Sequence, residues 1–596
     1  MYCCRGCRCC PGGLADVRGP PPADRRTGRR LVGFFVDAGP GLSHNASPVS
    51  QSTQHEQRHF FGQAKVMAAL TVLSRIAGML RAMAIASLGA NALTDAFAMA
   101  WRIPNLFRRL FAEGALSAAF VPVFTETLES GPQGLPRGLR LLANAMALLT
   151  VLLLGILLVT LAGLLLWGWL WPGAADRQLM ILLASLMLPF MVTVCLLALG
   201  SAALNCRGHF AYPAATPILM NLIIVAAAWF VSPRWQDPAD KLAVVAVSVS
   251  LAGVVQFVGV LWLLKRMGLA LPWRLRPLEP GIRPMLKLMA PMLLALGFLQ
   301  TSELLQSILA WVLRKTPGQN DTFAFFGWQL TKPLDTGVLQ RIDAARYLYQ
   351  FPLGVLAISL GVAVFPLLSR YAARGDMPNF RDSLNRALRL SMMEGLATGA
   401  GLLVLAEPIT WLLYRHGNYT ADDVRQSAFI VQMYAAGMWA YCSYQILVRA
   451  FYSLKDTTTP LKISCVLAAA HMVLVAALLF TPLGAAGFGL ATAVTFAVNA
   501  LWLAAKLRKR LGLFGGRKLA VSVARSTLAS AVMAAAVLAL QGWLAGQGAR
   551  NWLVVAACVP AGAGVFVLAA WALRAPELGE LWGAVKTKAT GKADGL

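Results

Sequence analysis

Charge is what this sequence has least of, and negative charge least of all. Only 13% of its 596 residues are charged, 53 Lys and Arg against 26 Asp and Glu. Soluble domains carry about a quarter of their residues as charges, so a soluble fold is excluded. Of the ten cysteines, Cys195, Cys206, Cys442, Cys465 and Cys558 are scattered without ligand spacing and read as packing residues. Cys3, Cys4, Cys7, Cys9 and Cys10 crowd the start, but a zinc knuckle would also need paired histidines or a separate second CxxC, so no metal is expected. P-loop, HExxH, GxSxG and paired-aspartate motifs are missing as well. The connections between apolar runs are too short for the carboxylate-bearing soluble face of a glycosyltransferase. The chain therefore reads as a non-enzyme without a cofactor.

What is present is apolar sequence, 58% of the chain. Lipid admits only helices and closed barrels, and unbroken runs of about 20 residues select helices. The expected fold is an all-α polytopic membrane protein with fourteen spans, at about 66–89, 94–124, 141–171, 178–204, 212–232, 241–264, 284–313, 346–370, 385–414, 424–452, 460–480, 485–506, 518–543 and 552–573. A net charge of +27 suggests nucleic acid, but the basic residues are spread among loops instead of clustered with stacking aromatics, so no nucleic-acid partner is expected. Their distribution sets the orientation. Arg137, Arg140, Arg207, Lys265, Arg266 and the run KLRKRLGLFGGRK from Lys506 fall in alternate loops, while GANALTD and TPLGAAG lack positive charge. The bias predicts both termini in the cytoplasm. Residues 1–60 are rich in Pro, Gly and Arg without periodicity or an apolar signal core, and are expected to be a disordered extension or the product of a start codon placed too early.

A faint repeat runs through the spans. FVPVFTETLESG around Pro122 echoes VFPLLSRYAARG around Pro366, and ALNCRGHFAYP ending at Pro213 echoes AFYSLKDTTTP ending at Pro460. The offsets, 366 − 122 = 244 and 460 − 213 = 247, nearly agree. Duplication predicts two six-helix lobes, 61–272 and 273–512, with two further spans in 513–575 and a cytoplasmic tail in 576–596. Duplicated halves commonly enclose a substrate path at their interface.

The functional signal lies in residues 74–127, SRIAGMLRAMAIASLGANALTDAFAMAWRIPNLFRRLFAEGALSAAFVPVFTET. Arg75 and Arg81 fall inside a span, where each cation costs about 2.5–3.5 kcal/mol and must face a cavity or polar partner. On a helix they are about 120° apart and roughly 9 Å apart along the axis, so both can border one cavity. Asp95, Arg102, Arg108, Arg109 and Glu113 follow, around Pro104 and Gly114. An arginine-lined cavity implies an anionic ligand, since the guanidinium fork matches phosphate. An organic cation would instead ask for acidic and aromatic residues.

The run TDAFAMAWRIPNLFRRLFAEGALSAAFVPVF resembles the signature of the MurJ/MviN family of lipid II flippases, and the similarity of pattern extends from about Phe61 to Trp571. The resemblance implies two six-helix bundles of the multidrug/oligosaccharidyl-lipid/polysaccharide exporter fold, with the last two helices forming a lipid-accessible groove. It implies an inner-membrane flippase moving an undecaprenyl-pyrophosphate-linked peptidoglycan precursor by alternating access, with lipid II, membrane lipids and other cell-wall synthesis proteins as partners. Another polyprenyl-pyrophosphate saccharide as cargo, or a non-transporting scaffold, remain as alternatives. The membrane potential or an ion gradient is the expected drive.

Two departures from the family pattern matter. Where the family carries an arginine five residues before the proline matching Pro352, this chain has Tyr347, with Arg346 one residue earlier. Ala82 stands where an aspartate usually follows the arginine matching Arg81. The candidate pyrophosphate and cavity residues are thus Arg75, Arg81, Arg346, Tyr347, Asp95, Arg109 and Glu113, with Arg346 favoured as the third cation. Glu303 and Glu394 are candidates for ion coupling and for the missing counter-charge.

Overall fold

The computed structural model describes residues 48–172, 175–272, 278–316, 318, 320–325, 328–355, 357–513 and 515–579. The chain divides into two units, 1–60 and 61–596. Of the first, residues 48–60 are described, and contrary to expectation they are helical. Pro48 suits a first helical position and no glycine or proline follows before Gly62, so nothing local stops the helix. The five N-terminal cysteines lie outside the described residues.

In chain order the helices are α1 (Pro48–Ala86), α2 (Ala92–Phe107), α3 (Leu116–Leu128), α4 (Gly134–Leu170), α5 (Ala175–Met187), α6 (Pro189–Cys206), α7 (Ala211–Ala226), α8 (Pro238–Arg266) and α9 (Ile282–Val312). A hairpin of β1 (Thr322–Phe325) and β2 (Trp328–Thr331) follows. Then come α10 (Val338–Val355), α11 (Ala357–Arg374), α12 (Met377–Tyr414), α13 (Ala421–Ala435), α14 (Met438–Ser453), α15 (Thr458–Leu479), α16 (Ala486–Leu511), α17 (Gly516–Gly546) and α18 (Asn551–Ala572). Among the described residues, 11 helices are long and apolar enough to cross a membrane. The other three expected spans coincide with α2–α3, α9 and α13–α14. The first carries too much charge, and the last is broken at Gly437. Long charge-bearing or interrupted helices at membrane depth are tolerated where they line a protein cavity.

The helix starts repeat. α2 and α10 begin at 92 and 338, and α5 and α13 at 175 and 421, so each pair is 246 residues apart. One core draws its buried residues from Ala84 to Met289 alone. A second joins Ala82, Ala86 and Ala98 to residues 310–491, so the end of α1 and the start of α2 are packed into the second half of the chain. α17 and α18 pack on each other and on α12, around a core that includes Met393, Met533 and Cys558. Cys195, Cys206, Cys442, Cys465 and Cys558 are free thiols, buried or half-buried, as packing residues should be.

The segment carrying the charges is irregular for a local reason. Pro104 removes a backbone donor inside α2, and Arg108–Ala115 follows as a π-helix. At its other end α2 is fixed by a capping box, in which Asn91 accepts from the N–H of Thr94 at 3.0 Å and Thr94 Oγ1 accepts from the N–H of Asn91 at 2.9 Å.

Candidate functional site

α2 and α10 meet along a seam, and polar groups are spaced up it. At one end the Asp95 carboxylate, fully buried, accepts the N–H groups of Gly337 at 2.7 Å, Leu339 at 2.9 Å and Gln340 at 3.3 Å. These are orphan donors at the start of α10, where a carboxylate is favoured by hydrogen bonding and by the helix dipole. Arg314, 1% exposed, lies 3.7 Å from Asp95 and pairs with Asp176 at the start of α5. Its guanidinium also lies 3.7 Å from the centre of the Trp311 ring. Asp95 was expected in the substrate cavity. It is instead used up in this lock, because one buried carboxylate is already satisfied by three backbone donors and an arginine.

Two turns further along α2, Arg102 pairs with Asp343. Deeper, Arg81 Nη2 donates to the Tyr347 hydroxyl at 2.5 Å, and its guanidinium lies 5.6 Å from both the Trp101 and Tyr347 rings. These groups border a cavity of about 40 Å³, with Asp343 and Gln340 also in its wall. That is room for a water or two and not for a diphosphate. Arg81 is thus screened by two aromatic faces, and an anion reaches it only if α2 and α10 part.

Arg346 points elsewhere. Its guanidinium donates to Gln306 Oε1 at 3.1 Å and to the Tyr434 hydroxyl at 3.4 Å, and lies 3.5 Å from Glu303. Arg109 also pairs with Glu303 and donates to Gln300 Oε1 at 3.2 Å. Arg109, Glu303, Gln306, Arg346 and Tyr434 line a second, polar cavity of about 330 Å³, with His471 in its wall. Adjacent residues on a helix differ by about 100°, and here Arg346 lines this cavity while Tyr347 borders the small one at Arg81. The expectation that Arg346 replaces the displaced cation beside Arg81 is therefore corrected. Glu303 is likewise no counter-charge for Arg81, since it bridges Arg109 and Arg346. Glu394 lies in α12 with its Oε2 buried and unpartnered among the described residues. The side chain of Glu113 lies outside the described residues.

Arg75 has no hydrogen-bond or ion-pair partner among the described residues. Its guanidinium occupies the space a side chain at Gly354 would fill. Beyond it, α1, α10, α12, α17 and α18 enclose an apolar groove of about 880 Å³, lined by Met79, Leu80, Phe351, Leu405, Met533 and Phe566 among others.

The pattern of the family described as "Lipid II flippase MurJ" matches residues 84–558. The chain belongs to the MurJ family. A probable lipid II flippase MurJ of Vibrio cholerae is 31% identical over 489 residues, covering 79% of this chain and 87% of the relative. A lipid II flippase MurJ of Burkholderia cenocepacia is 31% identical over 469 residues, covering 76% and 84%. A solved MurJ in an inward closed conformation superposes with a TM-score of 0.66 at 20% identity, covering 84% of this chain and 97% of that one. An inward-facing multidrug transporter of the MATE family gives 0.58 at 13%, covering 76% and 99%; at these identities the two structures speak for the fold. Members of the MurJ family are transporters, not enzymes. The matched range begins after Arg75 and Arg81, so the case for those two rests on their placement.

Sequence reasoning missed Trp101, Asp343 and Arg314. Trp101 and Arg102 were legible as part of the signature run. The pairing of Arg102 with Asp343, 241 residues on, was not. An offset close to that of the internal repeat was the available hint, since equivalent helices of a duplicated fold meet at its axis.

Proposed function

We propose that this chain moves lipid II from the cytoplasmic to the periplasmic leaflet of the bacterial inner membrane, by alternating access between lobes 61–272 and 273–512. The observation that carries the reading is that α1 and α10 serve two environments at once. They bear Arg75, Arg81 and Tyr347, and they also wall the apolar groove of about 880 Å³ beside α17 and α18. An amphiphile with an anionic diphosphate and a long hydrocarbon tail fits this pair, with the diphosphate at Arg75 and Arg81 and the tail in the groove. Both termini are cytoplasmic, and other cell-wall synthesis proteins are partners.

No nucleotide is required for the energetics. A membrane potential negative inside favours outward movement of an anion by about 2.3 kcal/mol per charge per 100 mV. The same field favours return of an emptied, cation-lined cavity to the cytoplasmic side. The test is depletion of the protein with lipid II measured on each leaflet. Accumulation on the inner leaflet is expected, and unchanged distribution would remove the reading in favour of a scaffold. Restoration by a variant lacking Arg75 and Arg81 would do the same for the site.

A further inference from the structure

The span Val338–Arg374 carries two buried glycines, Gly354 and Gly361, each filled by a guanidinium from a different helix. A side chain at Gly354 would overlap Arg75 of α1, and one at Gly361 would overlap Arg449 of α14. Seven residues are close to two helical turns, so the notches share one face and are separated by about 10 Å along the axis. Glycine in a helix interior is unfavourable and marks a close approach by another group. Here the approaching group is a cation in both cases.

Arg449 resembles an interfacial arginine by sequence, one turn from the end of α14 at Ser453. Its direction says otherwise. Nη1 donates to the carbonyl of Gln445 at 3.0 Å and to its Oε1 at 3.1 Å, one turn back into the helix and away from the polar end at Lys455. The head reaches the level of Gly361, thirteen residues or about 20 Å before the end of α11 at Arg374. No carboxylate pairs with Arg449 or Arg75 among the described residues. An intramembrane cation without an acid partner is a functional group by default.

We propose that Gly354 and Gly361 are seats that hold Arg75 and Arg449 as two successive stations for the diphosphate along one face of the eighth span. Arg449 is the first station from the cytoplasmic side and Arg75 the second, with Arg81 about 9 Å beyond it. A diphosphate leaving one guanidinium is then within reach of the next, and each seat keeps its cation aimed without a carboxylate that would compete with the cargo. Gly361 and Gly354 are positioning residues; the arginines touch the ligand. The inference rests on the functional reading above and adds Arg449 to it.

The test uses the full-length protein in nanodiscs, with polyprenyl diphosphate as the probe and the neutral polyprenol as control. Arg449→Gln and Gly361→Leu are each expected to weaken diphosphate binding at least about tenfold, the scale of one lost charge-assisted bond, and to leave polyprenol binding unchanged. Arg449→Lys is expected to recover part of the loss. Because Gly361→Leu displaces only the end of a flexible side chain, it is expected to keep its melting temperature. It is also expected to add nothing in the Arg449→Gln background. Diphosphate binding by Arg449→Gln equal to that of the unaltered protein overturns the station. A Gly361→Leu loss that persists in the Arg449→Gln background overturns the seat. An unaltered protein that binds diphosphate no better than polyprenol overturns the functional reading itself, and is thereby distinguished from the other two.

Discussion

Arg346 and Tyr347 are neighbours in the chain and face different cavities, Tyr347 bonding Arg81 at 2.5 Å and Arg346 bonding Gln306 at 3.1 Å. The consequence is a division of labour that neither residue type announces. Tyr347 completes the cage around Arg81, and Arg346 holds α9, α10 and α13 together.

Tyr347→Phe removes one hydrogen bond to a charged donor, an interaction of about 1.5–3 kcal/mol, without changing packing. Flipping in a reconstituted assay is expected to fall by about tenfold or more, with a smaller loss of melting temperature than Arg346→Ala gives. Arg346→Ala is expected to show the converse, a lowered melting temperature, since it strands Gln306 and the Tyr434 hydroxyl. Normal flipping by Tyr347→Phe beside an unfolding-neutral, inactive Arg346→Ala would reverse the assignment.

The lock at Asp95 should govern access from the opposite side. Asp95→Asn turns one acceptor into a donor facing backbone donors, and is expected to weaken the seam by about 1–3 kcal/mol. Ser87 lies in the turn that joins α1 to α2, its carbonyl accepting from the N–H of Asn418 at 2.8 Å. A cysteine placed at Ser87 should react with a membrane-impermeant maleimide several-fold faster when Asp95 is Asn. Equal labelling rates would show that the lock does not hold the seam closed.

The sequence disclosed the membrane fold nearly whole, because spans are encoded locally as apolar runs of sufficient length. The charged stretch from Asp95 to Arg109 and the cations at Arg75 and Arg81 were equally legible, since charge at membrane depth is conspicuous. Pairings were hidden, because Asp95 with the start of α10, Arg102 with Asp343 and Arg109 with Glu303 join residues 194 to 245 positions apart. Side-chain direction was hidden too. The displaced arginine at Arg346 looked like a substitute for its neighbour, and only the rotation of about 100° per residue separates them.

Acid sensitivity outside the membrane should concentrate at Asp456, in the turn between α14 and α15. The N–H of Thr459 donates to it at 3.0 Å, the Thr458 and Thr459 hydroxyls at 3.1 Å and 2.8 Å, and Arg510 at 3.0 Å. These donors, the Thr459 N–H first, hold its carboxyl below the usual value of 3.8. A depressed folded value means stability that is present above the unfolded value and lost as pH falls through the folded one. Asp456→Ala is therefore expected to lower the melting temperature at pH 6, and the gap from the unaltered protein should close as pH drops below about 4. A gap that widens in acid would show that Asp456 is held neutral.

The final expectation concerns the end of the described chain, where a cytoplasmic tail was anticipated. Glu577 is fully buried there, accepting from Arg389 Nη1 of α12 at 2.6 Å and from Ser522 Oγ of α17 at 2.8 Å. It thus ties the residues after α18 to both helices on which α18 packs. Removing one partner of a buried pair costs about 3–5 kcal/mol, since the other charge is left without its match. Truncation after residue 575 should therefore destabilise the protein, whereas truncation after 580 leaves Glu577 in place and should not. Within the full chain, Glu577→Ala should lower the melting temperature more than Glu577→Gln, which retains an acceptor for the Ser522 hydroxyl. Groove binding of a neutral polyprenol should weaken in the same order, because α17 and α18 form one of its walls. Equal melting temperatures for the two truncations would place the anchor elsewhere, and loss of polyprenol binding without loss of stability would make Glu577 a part of the groove itself.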